Sequence, residues 1–357
     1  MSVVAAIVVI SLLIFVHELG HFTFAKLFNV KVLIFSLGFG PALLKKKVGE
    51  TEYRISALPL GGYVKMLGES YDDEEPVPAE EQARSYATQA NWKKLIILVA
   101  GPLSNWVFAF LMLVVVFLHG VPYLTTKVGE IKKGSPAYSA GIRKGDLITA
   151  INGVPVREWD DMKRIIVANP GRELPVTIDR NGRVLVVRVT PVVTPEKDVF
   201  GETVRVPVIG ITPYGDFGVT NTSPVHSLVL AFRESINISS LVAISLVKLV
   251  EGRIPAKDLG GPILIAQQAA HQARRGIMSL LYFTALLGIN FALLNILPIP
   301  VLDGGNAAFT LVEAVIRRPL NKKVKLAIME FGVLFIVLLM VFAFYNDISR
   351  IIVAHHR

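Results

Sequence analysis

The chain has 357 residues, 52% of them apolar and 18% charged. That balance excludes a disordered chain and argues against an ordinary soluble enzyme. The formal charge of +9 points to nucleic acid or an anionic membrane surface, and the apolar excess favours the membrane. There is no cysteine, so any metal site must be built from His, Asp and Glu.

A bilayer core of roughly 30 Å needs about 20 apolar helical residues. Four stretches qualify: Ser2 to Phe24, Leu95 to Leu118, Ile277 to Leu302 and Leu326 to Phe344. The first lacks a basic leader and a small-residue cleavage site, so it reads as a retained helix. Between the first two spans, alternating residues from Val30 to Phe35 can pair with Glu52 to Ser56. Short apolar strands there predict a hairpin, about 30–67, dipping into the membrane against protein or a water-filled cavity. The run Asp72 to Glu75 reads as a solvated loop. Basic residues in the two short loops, Lys45-Lys46-Lys47 with Lys93 and Lys94, then Arg317, Arg318, Lys322, Lys323 and Lys325, place both loops in the cytoplasm. The N-terminus, the stretch from about 120 to 276 and the C-terminus then lie outside. The lysine cluster lacks interleaved aromatics, so lipid headgroups are the expected partner and nucleic acid is not.

Residues 125 to 192 read as a small β-rich domain. Strands are expected at Val128–Ile131, Asp146–Ile151, Pro175–Asp179 and Val184–Val189, with tight turns at Asn152-Gly153 and Asn181-Gly182 and a helix over Glu158–Ala168. The run Gly134-Ser135-Pro136-Ala137, Gly145-Asp146-Leu147-Ile148 and Ile151-Asn152-Gly153 resembles a PDZ domain. Such a domain either takes a peptide C-terminus as an added strand or acts only as a spacer or size gate. The charge-free stretch 235–247 is short and reads as an interfacial amphipathic helix.

Chemistry enters with His17-Glu18-Leu19-Gly20-His21. Residues four apart share one helix face, so His17 and His21 can hold one Zn²⁺, and Glu18 can take a proton from water there. Ionisable groups at the bilayer centre cost roughly 2.5–3.5 kcal/mol each on insertion scales, so they rarely sit there without a use. A catalytic zinc wants a third protein ligand, and Asp303, after the helix-breaking Pro298 and Pro300, is the candidate. One depth for all three requires the first and third spans to run parallel, which favours four spans over five.

Together with Gly38-Phe39-Gly40-Pro41, Gly61-Gly62-Tyr63-Val64-Lys65-Met66, Gly101-Pro102-Leu103-Ser104-Asn105, Gly260-Gly261-Pro262-Ile263 and the Asn295 to Gly305 stretch, these motifs resemble the site-2 protease family of intramembrane zinc metalloproteases. The nearest branch is the bacterial regulator of sigma-E proteases. The resemblance implies a polytopic α-helical protein of the inner membrane with four transmembrane helices, a membrane-reentrant β-hairpin and an inserted, extracytoplasmic PDZ domain. It implies His17, His21 and Asp303 as zinc ligands, Glu18 as catalytic base, and Asn295, Pro298, Gly61, Gly62 and Tyr63 as substrate-binding residues. Its substrates would be single-span membrane proteins such as anti-sigma factors. Two departures stand out: Asn306 where the family often has His, and one PDZ domain where many relatives carry two. The expected division is 1–119 (two helices and the hairpin), 120–192 (PDZ), 193–276 (connector) and 277–357 (two helices and the Leu302-Asp303-Gly304 motif). An inactive membrane chaperone would not need Glu18, and a metal transporter would show internal repeats, which are not found.

Overall fold

The computed structural model describes residues 2–69, 77–198, 201–220, 223–255 and 260–355. The expected loop at Asp72 to Glu75 lies outside them. The chain divides into two compact units, 1–116 with 227–357, and 117–226.

In the first unit, α1 (Ser2–Leu27) is followed by β1 (Val32–Val48), β2 (Thr51–Met66) and α2 (Asn91–His119), whose last residues pass into the second unit. The hairpin is more folded than a simple ladder. Ile34 pairs with both Lys65 and Glu52, and Leu37 with both Gly62 and Ile55. The first half of β1 therefore lies between the two ends of β2. This leaves Gly61–Met66 as an edge with no partner other than β1 among the described strands. The hairpin root packs on α1 and α2 through Ala25, Val30, Val32, Phe35, Val64, Met66 and Ile97. Its outer part, including Leu43, Leu44, Ile55 and Leu58, is exposed.

The second unit opens with β3 (Val121–Leu124), β4 (Val128–Ile131), α3 (Pro136–Ser139), β5 (Leu147–Ile151), β6 (Val154–Pro155) and α4 (Trp159–Val167). It continues with β7 (Leu174–Arg180), β8 (Arg183–Val189), β9 (Val192–Lys197), β10 (Thr203–Val208), β11 (Ile211–Pro213) and β12 (Phe217–Thr220). A four-stranded sheet has the order β6-β5-β7-β8. The turns at Asn152-Gly153 and Asn181-Gly182 carry positive φ at both residues, as a two-residue hairpin turn demands. The unit continues past residue 192: β11 pairs with β4, and Ile209 is buried in the core with Ile148, Ile151, Met162 and Ile178. Its entry and exit strands, β3 and β12, pair with each other, so the insertion is tied at its neck.

The first unit resumes with α5 (Pro224–Val250), α6 (Pro262–Arg275), α7 (Ile277–Ile296), α8 (Asp303–Ile316) and α9 (Lys322–His355). Among the described residues, five helices (α1, α2, α5, α7 and α9) are long and apolar enough to cross a membrane. The fifth, α5, extends well beyond the expected 235–247 stretch, because polar residues at its start are tolerated along one 27-residue helix. Contacts fix the helix directions. Gly20 of α1 faces Ala100 and Ser104 of α2, while Gly288 of α7 faces Leu13 and Ala109. Asn295, further along α7, reaches His17, further along α1. Helices α1 and α7 thus run parallel and α2 runs against both.

Candidate metal centre

Three elements deliver the site. Helical spacing puts His17 and His21 on one face of α1, with ring centroids 4.8 Å apart. Asp303 comes from the break between α7 and α8. Pro298 and Pro300 cannot continue α7, and the chain turns through Val301, whose φ of 83° is rare for a β-branched residue. Asp303 then opens α8, where a carboxylate suits the positive end of the helix dipole. Helix α2 backs the site at Gly101, where an added Cβ would lie 2.2 Å from His21 Nε2 and 2.9 Å from His17 Cε1.

His17 Nε2 lies 3.1 Å from Asp303 Oδ2 and His21 Nε2 lies 3.4 Å from Asp303 Oδ1. The two Nε2 atoms are 3.2 Å apart. These are close to the edges of a tetrahedron around an ion with 2.0–2.1 Å bonds, which are about 3.4 Å. His21 Nδ1 donates to the Ile97 carbonyl at 2.8 Å. A carbonyl only accepts, so the proton of a neutral His21 sits on Nδ1 and its Nε2 lone pair faces the site. Lone pairs of nitrogen and carboxylate oxygen at these separations repel unless a cation, or a proton, lies among them. The donor set therefore fits a divalent ion, and among the described residues it is the one His/Asp/Glu group found that could hold one.

A cavity of about 260 Å³ opens on these atoms. It is lined by all three candidate ligands and by buried Glu18, and also by Asn295, Gly62 and Tyr63. Asn295 Nδ2 lies 3.5 Å from His17 Nε2. Pro298 and Gly61, also expected at the substrate site, are not among the lining residues. Asn306 is. Glu69 also lines the cavity. Glu69 Oε2 accepts the Met66 N–H at 3.0 Å, and burial pushes its carboxyl up to about 7. No motif marks it: it follows the hairpin in a segment without periodicity.

Comparison with known proteins gives the family. The model of peptidase family M50 matches residues 5–339. A Campylobacter jejuni protein described as a zinc metalloprotease is 38% identical, covering 98% of this chain and 93% of its own length. An Agrobacterium fabrum protein described in the same way is 35% identical over 98% of this chain and 96% of its own. The regulator of sigma-W protease RasP of Bacillus subtilis is 27% identical over 98% of this chain and 99% of its own. The chain belongs to peptidase family M50, the site-2 proteases, and is a multi-pass membrane zinc metalloprotease.

Proposed function

We propose that the protein cleaves peptide bonds within or near the membrane-spanning segments of single-span proteins. In this reading His17, His21 and Asp303 hold the zinc and Glu18 is the base. The observation that carries it is the convergence of three ligand atoms, 3.1–3.4 Å apart, at a helix pair apolar enough to cross a membrane. Zinc, when bound, supplies Lewis acidity and makes water a nucleophile at neutral pH. Glu18 takes the proton of the attacking water and passes it to the leaving amine as the C–N bond breaks. Asn295 holds the substrate chain near His17. A spanning helix hides its carbonyls in internal hydrogen bonds. The edge strand Gly61–Met66, bordering the cavity through Gly62, Tyr63, Val64 and Met66, gives an unwound substrate a backbone ladder instead. Pro298 and Gly61 support this edge and the adjoining chain break rather than line the cavity.

Four spans fit the packing. With α1 and α7 parallel and α2 opposed, the chain leaves α2 and enters α7 on one side of the bilayer, so it crosses an even number of times between them. Helix α6, with 14 residues, is about 21 Å long and falls short of a core of roughly 30 Å. Helix α5 therefore has no return partner and lies along the interface or dips part way. The basic loops put Lys45 and Arg318 in the cytoplasm and the second unit outside. That unit is a PDZ domain, which excludes bulky ectodomains or takes a newly cut peptide end. Anti-sigma-factor-like proteins are the expected substrates, in keeping with the name of the Bacillus subtilis relative. The test is Glu18→Gln in the purified full chain: zinc stays bound while cleavage of a model spanning peptide disappears. Retained cleavage would remove Glu18 from its role.

A further inference from the structure

Two buried polar atoms lack hydrogen-bond partners among the described residues: His17 Nδ1, on a candidate ligand, and Asn105 Oδ1. They belong to facing helices. Gly101, whose added Cβ would sit 2.9 Å from His17 Cε1, is one helical turn before Asn105 and on the same face of α2. Asn105 is 1% exposed, and its own backbone lies against Gly288 of α7. The chemistry of the two atoms is complementary. When His17 Nε2 binds a cation, the imidazole proton must sit on Nδ1, which becomes a donor, and an amide Oδ1 only accepts. A buried donor and a buried acceptor left apart would each carry a desolvation penalty that pairing removes.

We propose that Asn105 is a positioning residue for the metal. Its Oδ1 takes the His17 Nδ1–H, directly or across one water, and so holds the tautomer and ring plane that present Nε2 to the ion. His21 already has such a partner in the Ile97 carbonyl at 2.8 Å; Asn105 completes the pair for His17. The proposal rests on the reading of His17 as a ligand. His17→Ala tests that reading separately: if it keeps wild-type zinc affinity, the ligand assignment fails whatever Asn105 does.

The experiment measures zinc affinity of the full chain in detergent by chelator competition, with thermal unfolding of the metal-free protein alongside. Removing such an outer partner typically weakens metal binding about 10–100-fold. Asn105→Leu, of similar size but without an acceptor, is expected to weaken zinc binding by that factor while metal-free unfolding is unchanged. Asn105→Asp, which keeps the acceptor, is expected to stay within a few-fold of wild type. It should also shift the visible absorption bands of the Co²⁺-substituted protein, because a carboxylate makes the imidazole a stronger donor to the ion. Wild-type affinity in Asn105→Leu overturns the proposal. So does unchanged Co²⁺ absorption in Asn105→Asp, a readout that stands even if the Leu variant does not fold. Equal loss in both variants with lowered metal-free stability would mean that Asn105 only packs helices, and would also overturn it.

Discussion

At Gly101 the centre has no room for a methyl group. Its missing side chain lets α2 press against both imidazoles, and Gly101→Ala would drive a carbon to within 2.2 Å of His21 Nε2. The expected outcome is a folded helix bundle that binds zinc at least ten-fold more weakly, measured by chelator competition; unchanged affinity would mean the rings can move aside freely. Val301 makes the opposite case. A β-branched residue at φ 83° stores about 1–3 kcal/mol of strain, two residues before Asp303. Val301→Gly relieves it, so thermal stability is expected not to fall while zinc binding weakens as Asp303 loses its fixed approach. A lower melting temperature together with unchanged zinc affinity would show that the strain has no bearing on the site. Both histidines, Glu18 and Asp303 were legible in the sequence, because ionisable groups in apolar stretches demand a reason. Val301 and Glu69 were not, since a backbone angle and a burial set by distant residues leave no local pattern.

Among the elements, the hairpin carries a charged clamp at its root, where the turn between β1 and β2 folds back toward α1. Glu50, in the turn between β1 and β2, bonds Lys26 Nζ at 2.5 Å and Arg84 Nη2 at 2.7 Å. The hydrogen bonds from Arg84 and Lys26 lower its carboxyl to about 2. A depressed carboxylate contributes stability that is present above its unfolded value near 4.5 and is lost as pH falls toward 2. The groups are about one-third exposed, so solvent screens the effect and its size is modest. Hydrogen exchange of hairpin amides should show protection falling between pH 4.5 and 2 in the wild type, and a flatter response in Glu50→Gln. Identical profiles would remove the clamp. The strands of the second unit were readable because Asn-Gly turns bracket them. Its continuation through β9 to β12 was not, because Ile209 and Ile211 join a core made by residues some 60 positions away. The full extent of α5 was missed for a related reason: charges at Arg233, Glu234 and Lys248 look like boundaries in a sequence, yet Glu234 accepts the Tyr282 hydroxyl of α7 at 2.8 Å.

For the molecule as a whole, parallel α1 and α7 bring a histidine pair and an aspartate nearly 300 residues apart to one depth. The topology this implies can be mapped directly, because the chain has no cysteine and single cysteines can be placed without background. Ser223→Cys and Gly252→Cys, flanking α5, are expected to react with a membrane-impermeant maleimide from the same side, and Lys46→Cys from the opposite one. Labelling of the two α5 flanks from opposite sides would make α5 a span. The most direct measurement of all is the zinc content of the purified full chain with and without the remote ligand. A three-residue ligand set predicts one zinc per wild-type chain and almost none in Asp303→Ala. A full complement of zinc in that variant, at wild-type affinity, would contradict it.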